Sequence, residues 1–464
     1  MDYTTLIFIF IFLPISLLVY YAIPNFRKVS LIIISVISII FIGLNSVSSL
    51  IFVCISIVLN FIIGIILDKN VKNKKIILII GIVLNVFILL FFKYESLIIK
   101  IPFFYRCKFL NLVMPIGISF YVFQNISYLV DIYKKKYNAE KNIINFIVYT
   151  AFFPRVLNGP ICRYDTIKEQ LQNYKKADID MLFDGITGFA FGLGKVLIIS
   201  SALQEIWNSI YEVYTTSGIE IITAWFGVIC YAFYIFINFS GYIDISIGLG
   251  KMFGIILPEN FNFPYAANSI SNFWRRWHIS LSNWFRDYIY IPLGGSRKGN
   301  VYLNLFIVFL LTGIWHGSSL NFIFWGIYNG IIIIMERIIR DKKFYKNIPN
   351  LIKHILTFIL IIIGWVLFTC NGLKDSLKFY MYMFGIKSPE FIQYRLQYFF
   401  SIHNIIYILL AIIISFPILN LLKNRIKNNK IKIVFKGICA VTIYIISLVF
   451  LINSLYSPSL YAQF

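Results

Sequence analysis

The sequence predicts an all-α protein, a multi-spanning bundle of about eleven to thirteen transmembrane segments. Three observations predict it. Of 464 residues, 59% are hydrophobic and only 13% charged, against roughly 45–50% and about 25% in soluble domains. Apolar runs such as Leu31–Gly43, Ile76–Phe92, Leu351–Gly364 and Ile405–Leu422 recur along the chain, and about 20 mostly apolar residues cross the hydrocarbon core as a helix. Basic residues concentrate in the short loops between the runs. Lipid supplies no partner for free backbone amides, so helices are the expected form.

Met1–Tyr21 is apolar, with neither a basic leader nor a small-residue cleavage site, and reads as the first permanent helix. With the N-terminus outside, segment 5–23 runs inward to the basic loop Asn25–Lys28 and 29–45 runs outward. Segment 49–67 returns to Asp68–Lys75, 76–92 goes out, and 113–131 comes back to Lys134–Lys136. Lys93–Lys108 then lies outside yet holds four basic residues, so part of it is expected to re-enter.

Asn142–Tyr164 has basic residues on both sides and is expected to enter and leave by one face. Its Phe153-Pro154 and Gly159-Pro160 pairs interrupt helix, because proline lacks the amide and disfavours helix before it. Such backbone at membrane depth must be buried in protein or line a cavity. The segment is therefore a cavity wall or an ordinary loop.

Pro258–Gly299 differs in kind. At 100° per residue, Trp274, Trp277, Leu281, Trp284, Phe285 and Tyr288 fall on one side, with Arg275, Arg276, Ser282, Asn283, Arg286 and Asp287 opposite. This predicts an interfacial helix over 273–290, with its aromatic face toward the acyl boundary. Ser271 is the expected N-cap and Pro292-Leu293-Gly294-Gly295 the stop. No internal repeat is visible, and 1–464 reads as a single membrane domain whose motif-bearing core is 110–330.

The net charge is +22, with 42 Lys and Arg against 20 Asp and Glu. In a soluble protein that excess would point to nucleic acid. Here it sits in loops such as Arg340–Lys346 and Lys423–Lys436, which fits cytoplasmic topology and contact with anionic lipid, and no nucleic-acid partner is expected. Six cysteines show no CxxC and no metal spacing, so they read as packing residues and no metal site is expected. There is no GxSxG elbow, P-loop or HExxH.

Only four histidines occur. His316 follows the apolar run Val301–Leu311, and an ionisable residue there is a functional candidate by default. A neutral buried imidazole can take a proton from a hydroxyl; it can equally bridge helices by hydrogen bonds. His278, after Arg275-Arg276-Trp277, reads alone as an interfacial polar residue. His354 and His403 receive no role. Asp244 and Asp287 each either orient a histidine or pair with an arginine.

Several blocks resemble a known family, the membrane-bound O-acyltransferases, and most closely the membrane subunit of alginate-type O-acetyltransferases. They are Met114–Gln124, Asn158–Tyr164, Asn238–Gly250, Pro258–Asn262, Phe273–Ser282 continuing through Trp284–Asp287 to Gly294-Gly295, and Gly313-Ile314-Trp315-His316-Gly317 with Asn321-Phe322 and Trp325-Gly326. Together they run in order over about 110–330. The resemblance implies helices around a funnel or tunnel, with His316 near its middle and His278 as a second signature position.

It also implies a function: acetyl passes from cytoplasmic acetyl-CoA, with no permanently bound cofactor, across the cell membrane. The expected destination is an extracellular polysaccharide, alginate-like, cellulose or peptidoglycan, reached through an extracytoplasmic SGNH-like partner. On this reading His316 is the base, and His278 and Ser282 stabilise an oxyanion or position the thioester. Arg275, Arg276 and Arg286 hold coenzyme A phosphates or simply obey positive-inside placement. Asp287, Trp315 and Asp244 complete the expected binding residues. Arg155 departs from the glutamine the resemblance leads one to expect. Two rival readings are D-alanyl transfer to teichoic acid by a related branch and a non-enzymatic polysaccharide transporter, against which the single polar block argues.

Overall fold

The computed structural model describes residues 1–24, 26–69, 72–95, 114–418 and 428–453, and every regular element among them is helical. Eight helices are long and apolar enough to cross a membrane, and four shorter apolar helices accompany them: Phe8–Ala22, Ile143–Val156, Val301–His316 and Ile402–Ser415. The multi-spanning helical bundle read from the sequence is what forms. The re-entry expected of Lys93–Lys108 falls, from residue 96 on, outside the described residues, as do Asn25, Cys107 and the start of the Lys423–Lys436 loop.

The described residues form two compact units, one of Met1–Gly192 with Tyr242–Glu259, the other of Leu193–Gly241 with the chain from Asn260 onward. The first contains α1 (Leu13–Ala22), α2 (Arg27–Asn45), α3 (Val47–Asp68), α4 (Lys74–Lys93), α5 (Ile118–Tyr133), α6 (Ile143–Ala151) and α7 (Tyr164–Gln172). The ends of α2, α3 and α4 fall within about two residues of the expected ones, the segment expected over 5–23 is split into a π-helical turn, Phe8–Phe12, and α1, and α5 begins at Ile118 where residue 113 was expected. That helix starts late because Gly117 adopts a left-handed φ of 70°, where an added Cβ would lie 2.3 Å from the Val156 carbonyl oxygen. Polar pairs hold these apolar helices in register. Asn85 of α4 donates to Asn60 of α3 at 2.7 Å, and Asn125 of α5 donates to Ser56 of α3 at 2.9 Å.

The interruption after α6 is buried. Phe152, Phe153, Pro154 and Arg155 are all inside the protein, so the broken backbone at Pro154 is surrounded by side chains, as membrane depth requires.

Next come α8 (Ile179–Gly194), the π-helical turn Lys195–Ser200, α9 (Ser201–Thr216) and α10 (Ile221–Met252); the unit boundaries fall within α8 and α10. The second unit continues with α11 (Ile270–Trp274), α12 (Ile279–Phe285), α13 (Val301–His316), α14 (Leu320–Ile339), α15 (Asn350–Thr369), α16 (Leu373–Met383), α17 (Ile402–Ser415) and α18 (Asn429–Asn453). The α13–α14 hairpin is closest at Gly313 and Gly326. A Cβ on Gly313 would meet the Phe322 carbonyl oxygen at 2.3 Å, and one on Gly326 the Phe309 oxygen at 2.5 Å. Small residues permit this approach in membranes.

One expectation is overturned here. Residues 273–290 are not a single interfacial helix. α11 ends at Trp274, α12 begins at Ile279, and Arg286–Tyr290 is a π-helical turn. The N-cap is Ser269, whose hydroxyl accepts from the Asn272 amide at 3.1 Å; Ser271 lies inside the helix. Nor does the aromatic face look toward lipid. Trp277 stacks on Phe273 with centroids 5.5 Å apart and meets Trp365 at 5.0 Å, and Trp277, Trp284 and Phe285 are buried. The chain breaks to turn those rings into the protein, where large aromatic surfaces are better hidden than at a headgroup boundary.

Candidate active site

The break between α11 and α12 is where His278 sits. Its φ is +45°, a left-handed backbone that a residue with a Cβ adopts only under constraint. The constraint comes from Asn260–Asn262, which lies alongside. The Ile279 amide donates to the Asn260 carbonyl at 2.9 Å, and the Asn262 amide donates to the Arg276 carbonyl at 3.0 Å. The Ser280 amide donates to Asn260 Oδ1 at 2.9 Å.

That last bond fixes which end of the Asn260 amide faces the histidine. His278 Nδ1 lies 3.3 Å from the same oxygen, so Nδ1 carries the proton and Nε2 the lone pair. The ring is 2% exposed, and Nε2 has no hydrogen-bond partner among the described residues. Burial pushes the imidazole down to about 3, so it is neutral at pH 7.

His316 ends α13 and is 5% exposed. Aromatic rings enclose it: Trp315 at 4.6 Å, with Trp325 and Phe368 each edge-on at 5.1 Å. Trp325 is brought there by the close approach of α14 at Gly326. The Trp315 ring also lies 6.4 Å from that of His278.

A cavity of about 320 Å³ in the second unit has both His278 and His316 in its wall. Arg275, Ser282 and Arg286 line it too, so five residues read from the sequence converge. The other four do not line it. Arg276 is engaged in holding the turn, donating to Asn272 Oδ1 at 2.9 Å and to the Asn262 carbonyl at 3.2 Å. Asp287 pairs with Arg286 through two contacts of 2.7 and 3.1 Å. Trp315 packs against both histidines, and Asp244 lies on α10 in the first unit. The Ser282 hydroxyl donates to the Trp277 carbonyl at 3.3 Å.

Three residues at the site escaped the sequence reading. Asn260 orients His278; it stood in a motif block without a role. Arg337 and Arg340, at the end of α14, line the cavity; Arg340 belongs to the basic loop Arg340–Lys346, and nothing in the sequence singled out Arg337. Among the described residues no group of three or more His, Cys, Asp or Glu is placed to hold a metal ion.

A family model described as MBOAT, membrane-bound O-acyltransferase family, matches residues 37–373. The chain belongs to the membrane-bound O-acyltransferase family. It is therefore an O-acyltransferase that crosses the membrane several times. This acyltransferase is 35% identical over 399 residues to the probable alginate O-acetylase AlgI of Pseudomonas aeruginosa, covering 83% of this chain and 75% of the relative. It is 32% identical over 425 residues to a peptidoglycan O-acetyltransferase of Helicobacter pylori, covering 83% and 80%. Similarity to a teichoic acid D-alanyltransferase of Bacillus subtilis is lower, 27% over 276 residues, covering 56% of this chain and 69% of that protein.

Proposed function

We propose that this acyltransferase moves acetyl from cytoplasmic acetyl-CoA through the cell membrane for O-acetylation of an extracellular polysaccharide, with an extracytoplasmic SGNH-like partner completing delivery. The observation that carries the reading is the convergence of two buried histidines and several arginines on one cavity. The higher identity to the two O-acetylating relatives than to the D-alanyltransferase favours acetyl as the group transferred.

The step is an acyl exchange between sulfur and oxygen. His316 takes the proton of the acceptor hydroxyl as that oxygen bonds to the thioester carbonyl carbon. The tetrahedral intermediate collapses, the carbon–sulfur bond breaks, and the thiolate leaves with the proton returned by the imidazolium. The aromatic surround of His316 excludes water that would otherwise hydrolyse the thioester. His278 has its Nδ1 proton engaged by Asn260, so its Nε2 accepts and does not donate. That suits positioning of a hydroxyl or amide N–H better than stabilising an oxyanion. Arg275 and Arg286 attract the phosphates of the donor.

The test uses purified protein in nanodiscs with acetyl-labelled acetyl-CoA and an oligosaccharide or partner-protein acceptor. Label transfer that depends on His316 supports the reading. Transfer only from a D-alanyl carrier thioester, or no thioester chemistry at all, overturns it.

A further inference from the structure

Attack on a thioester carbonyl moves an electron pair onto the carbonyl oxygen, and that charge needs hydrogen-bond donors in a place that excludes water. Several polar groups of the cavity wall are already committed. His278 gives its Nδ1 proton to Asn260, so its Nε2 only accepts. The hydroxyls of Ser282 and Thr312 are spent on the carbonyls of Trp277 at 3.3 Å and Val308 at 2.8 Å. Arg286 is engaged by Asp287, and Arg275 and Arg340 are exposed.

Trp274 ends α11 and lines the same cavity. Its ring meets Phe309 of α13 at 5.4 Å and stands edge-on to Trp325 of α14 at 5.6 Å. Trp325 is also edge-on to His316 at 5.1 Å, so Trp274 and His316 pack on the same indole. The Trp274 ring is half-buried, but its Nε1 is fully buried and has no hydrogen-bond partner among the described residues. Buried N–H groups in native proteins are nearly always paired, and an orphan calls for a reason. An indole nitrogen donates only, so what it can serve is an acceptor oxygen.

We infer that Trp274 is a catalytic residue whose indole N–H donates to the carbonyl oxygen of the acyl thioester and stabilises the negative charge that develops there. The inference rests on the thioester-transfer reading above. As the acceptor oxygen bonds to the carbonyl carbon, His316 takes the hydroxyl proton and the carbonyl π pair moves onto oxygen, against Trp274 Nε1–H. When the carbon–sulfur bond breaks, that pair returns to the carbonyl and the imidazolium proton leaves on the thiol. The indole keeps its own proton throughout.

Two replacements remove the N–H and keep a ring: Trp274→Phe, and benzothienylalanine in place of Trp274, in which sulfur stands for the indole nitrogen at nearly unchanged shape. Protein in nanodiscs, matched by thermal midpoint, is assayed for acetyl-CoA binding and for single-turnover transfer to an oligosaccharide or partner-protein acceptor. Both forms should bind acetyl-CoA as wild type does and transfer acetyl about 10²-fold more slowly. A second readout needs no turnover: the infrared carbonyl band of bound acetyl-CoA, isotope-labelled at the carbonyl carbon, in the His316→Ala background. Loss of the donor should move that band to higher frequency, whereas a packing role leaves it in place. A wild-type transfer rate with benzothienylalanine, or an unmoved band, overturns the donor role. Absence of transfer from acetyl-CoA in wild type defeats the thioester reading and the inference with it. A moved band together with normal transfer by His316→Ala keeps Trp274 as the donor and refutes His316 as the base.

Discussion

His278 presents its Nδ1 to the side-chain oxygen of Asn260 at 3.3 Å, and that oxygen also receives the Ser280 amide at 2.9 Å. One asparagine therefore sets both the tautomer of the ring and the turn that carries it.

Removing this partner should be costly. Asn260→Leu leaves two buried donors unmatched, each about 1–3 kcal/mol, and is expected to lower acetyl transfer by about 10-fold or more. Asn260→Asp retains the acceptor but sets a carboxylate against the ring, which raises its pKa. The acid limb of its pH–rate profile should therefore move to higher pH than in wild type. Identical profiles for wild type and Asn260→Asp would contradict the assignment.

Protonation of His278 also makes stability depend on pH. Burial lowers its pKa from 6.5 to about 3. Between those values the unfolded chain binds a proton that the folded protein does not, so stability falls as pH drops through that window and is unaffected above it. The thermal midpoint of detergent-solubilised protein should be flat from about pH 8 to 7 and decline below about pH 6. Asn tolerates the left-handed backbone, so His278→Asn should fold and show a shallower decline. Equal slopes would remove the buried imidazole from the account.

The α13–α14 approach predicts a stability effect away from the cavity chemistry. Gly313→Ala puts a methyl 2.3 Å from the Phe322 carbonyl oxygen, a backbone atom that cannot swing aside. The helices must separate, costing about 1–3 kcal/mol and carrying Trp325 away from His316. Thermal unfolding should show a lower midpoint, with acetyl transfer reduced in the same variant. An unchanged midpoint would show that the hairpin relaxes freely.

Glu336 offers a complementary case. Glu336→Ala uncaps α11 and should cost about 0.5–2 kcal/mol, whereas Glu336→Gln keeps an acceptor and should lose less. Steady-state kinetics should show the Ala variant raising the donor KM through displaced Arg275 more than it lowers kcat. A purely proportional loss in both variants would reduce Glu336 to a structural cap.

Much of the architecture was legible because apolar length and the placement of Lys and Arg report membrane segments directly. The limits of α2, α3 and α4 follow from that alone. His316 was legible for the same reason, as an ionisable group in an apolar run. The region 273–290 was misread because a 100° projection presumes unbroken helix, and nothing local announces the left-handed His278. That conformation is imposed by Asn260–Asn262, which meets the turn through tertiary hydrogen bonds. Arg337 was overlooked for the opposite reason. Positive-inside placement explains any arginine at the end of α14, and only the three-dimensional structure shows that Arg337 lines the cavity while the adjacent Glu336 caps α11.

The base role of His316 is tested most directly by single-turnover transfer from labelled acetyl-CoA, comparing wild type with His316→Ala at matched amounts of folded protein. The account predicts a rate lower by about 10²–10⁴-fold, with coenzyme A bound as tightly as in wild type. Transfer at the wild-type rate in the alanine variant would contradict it.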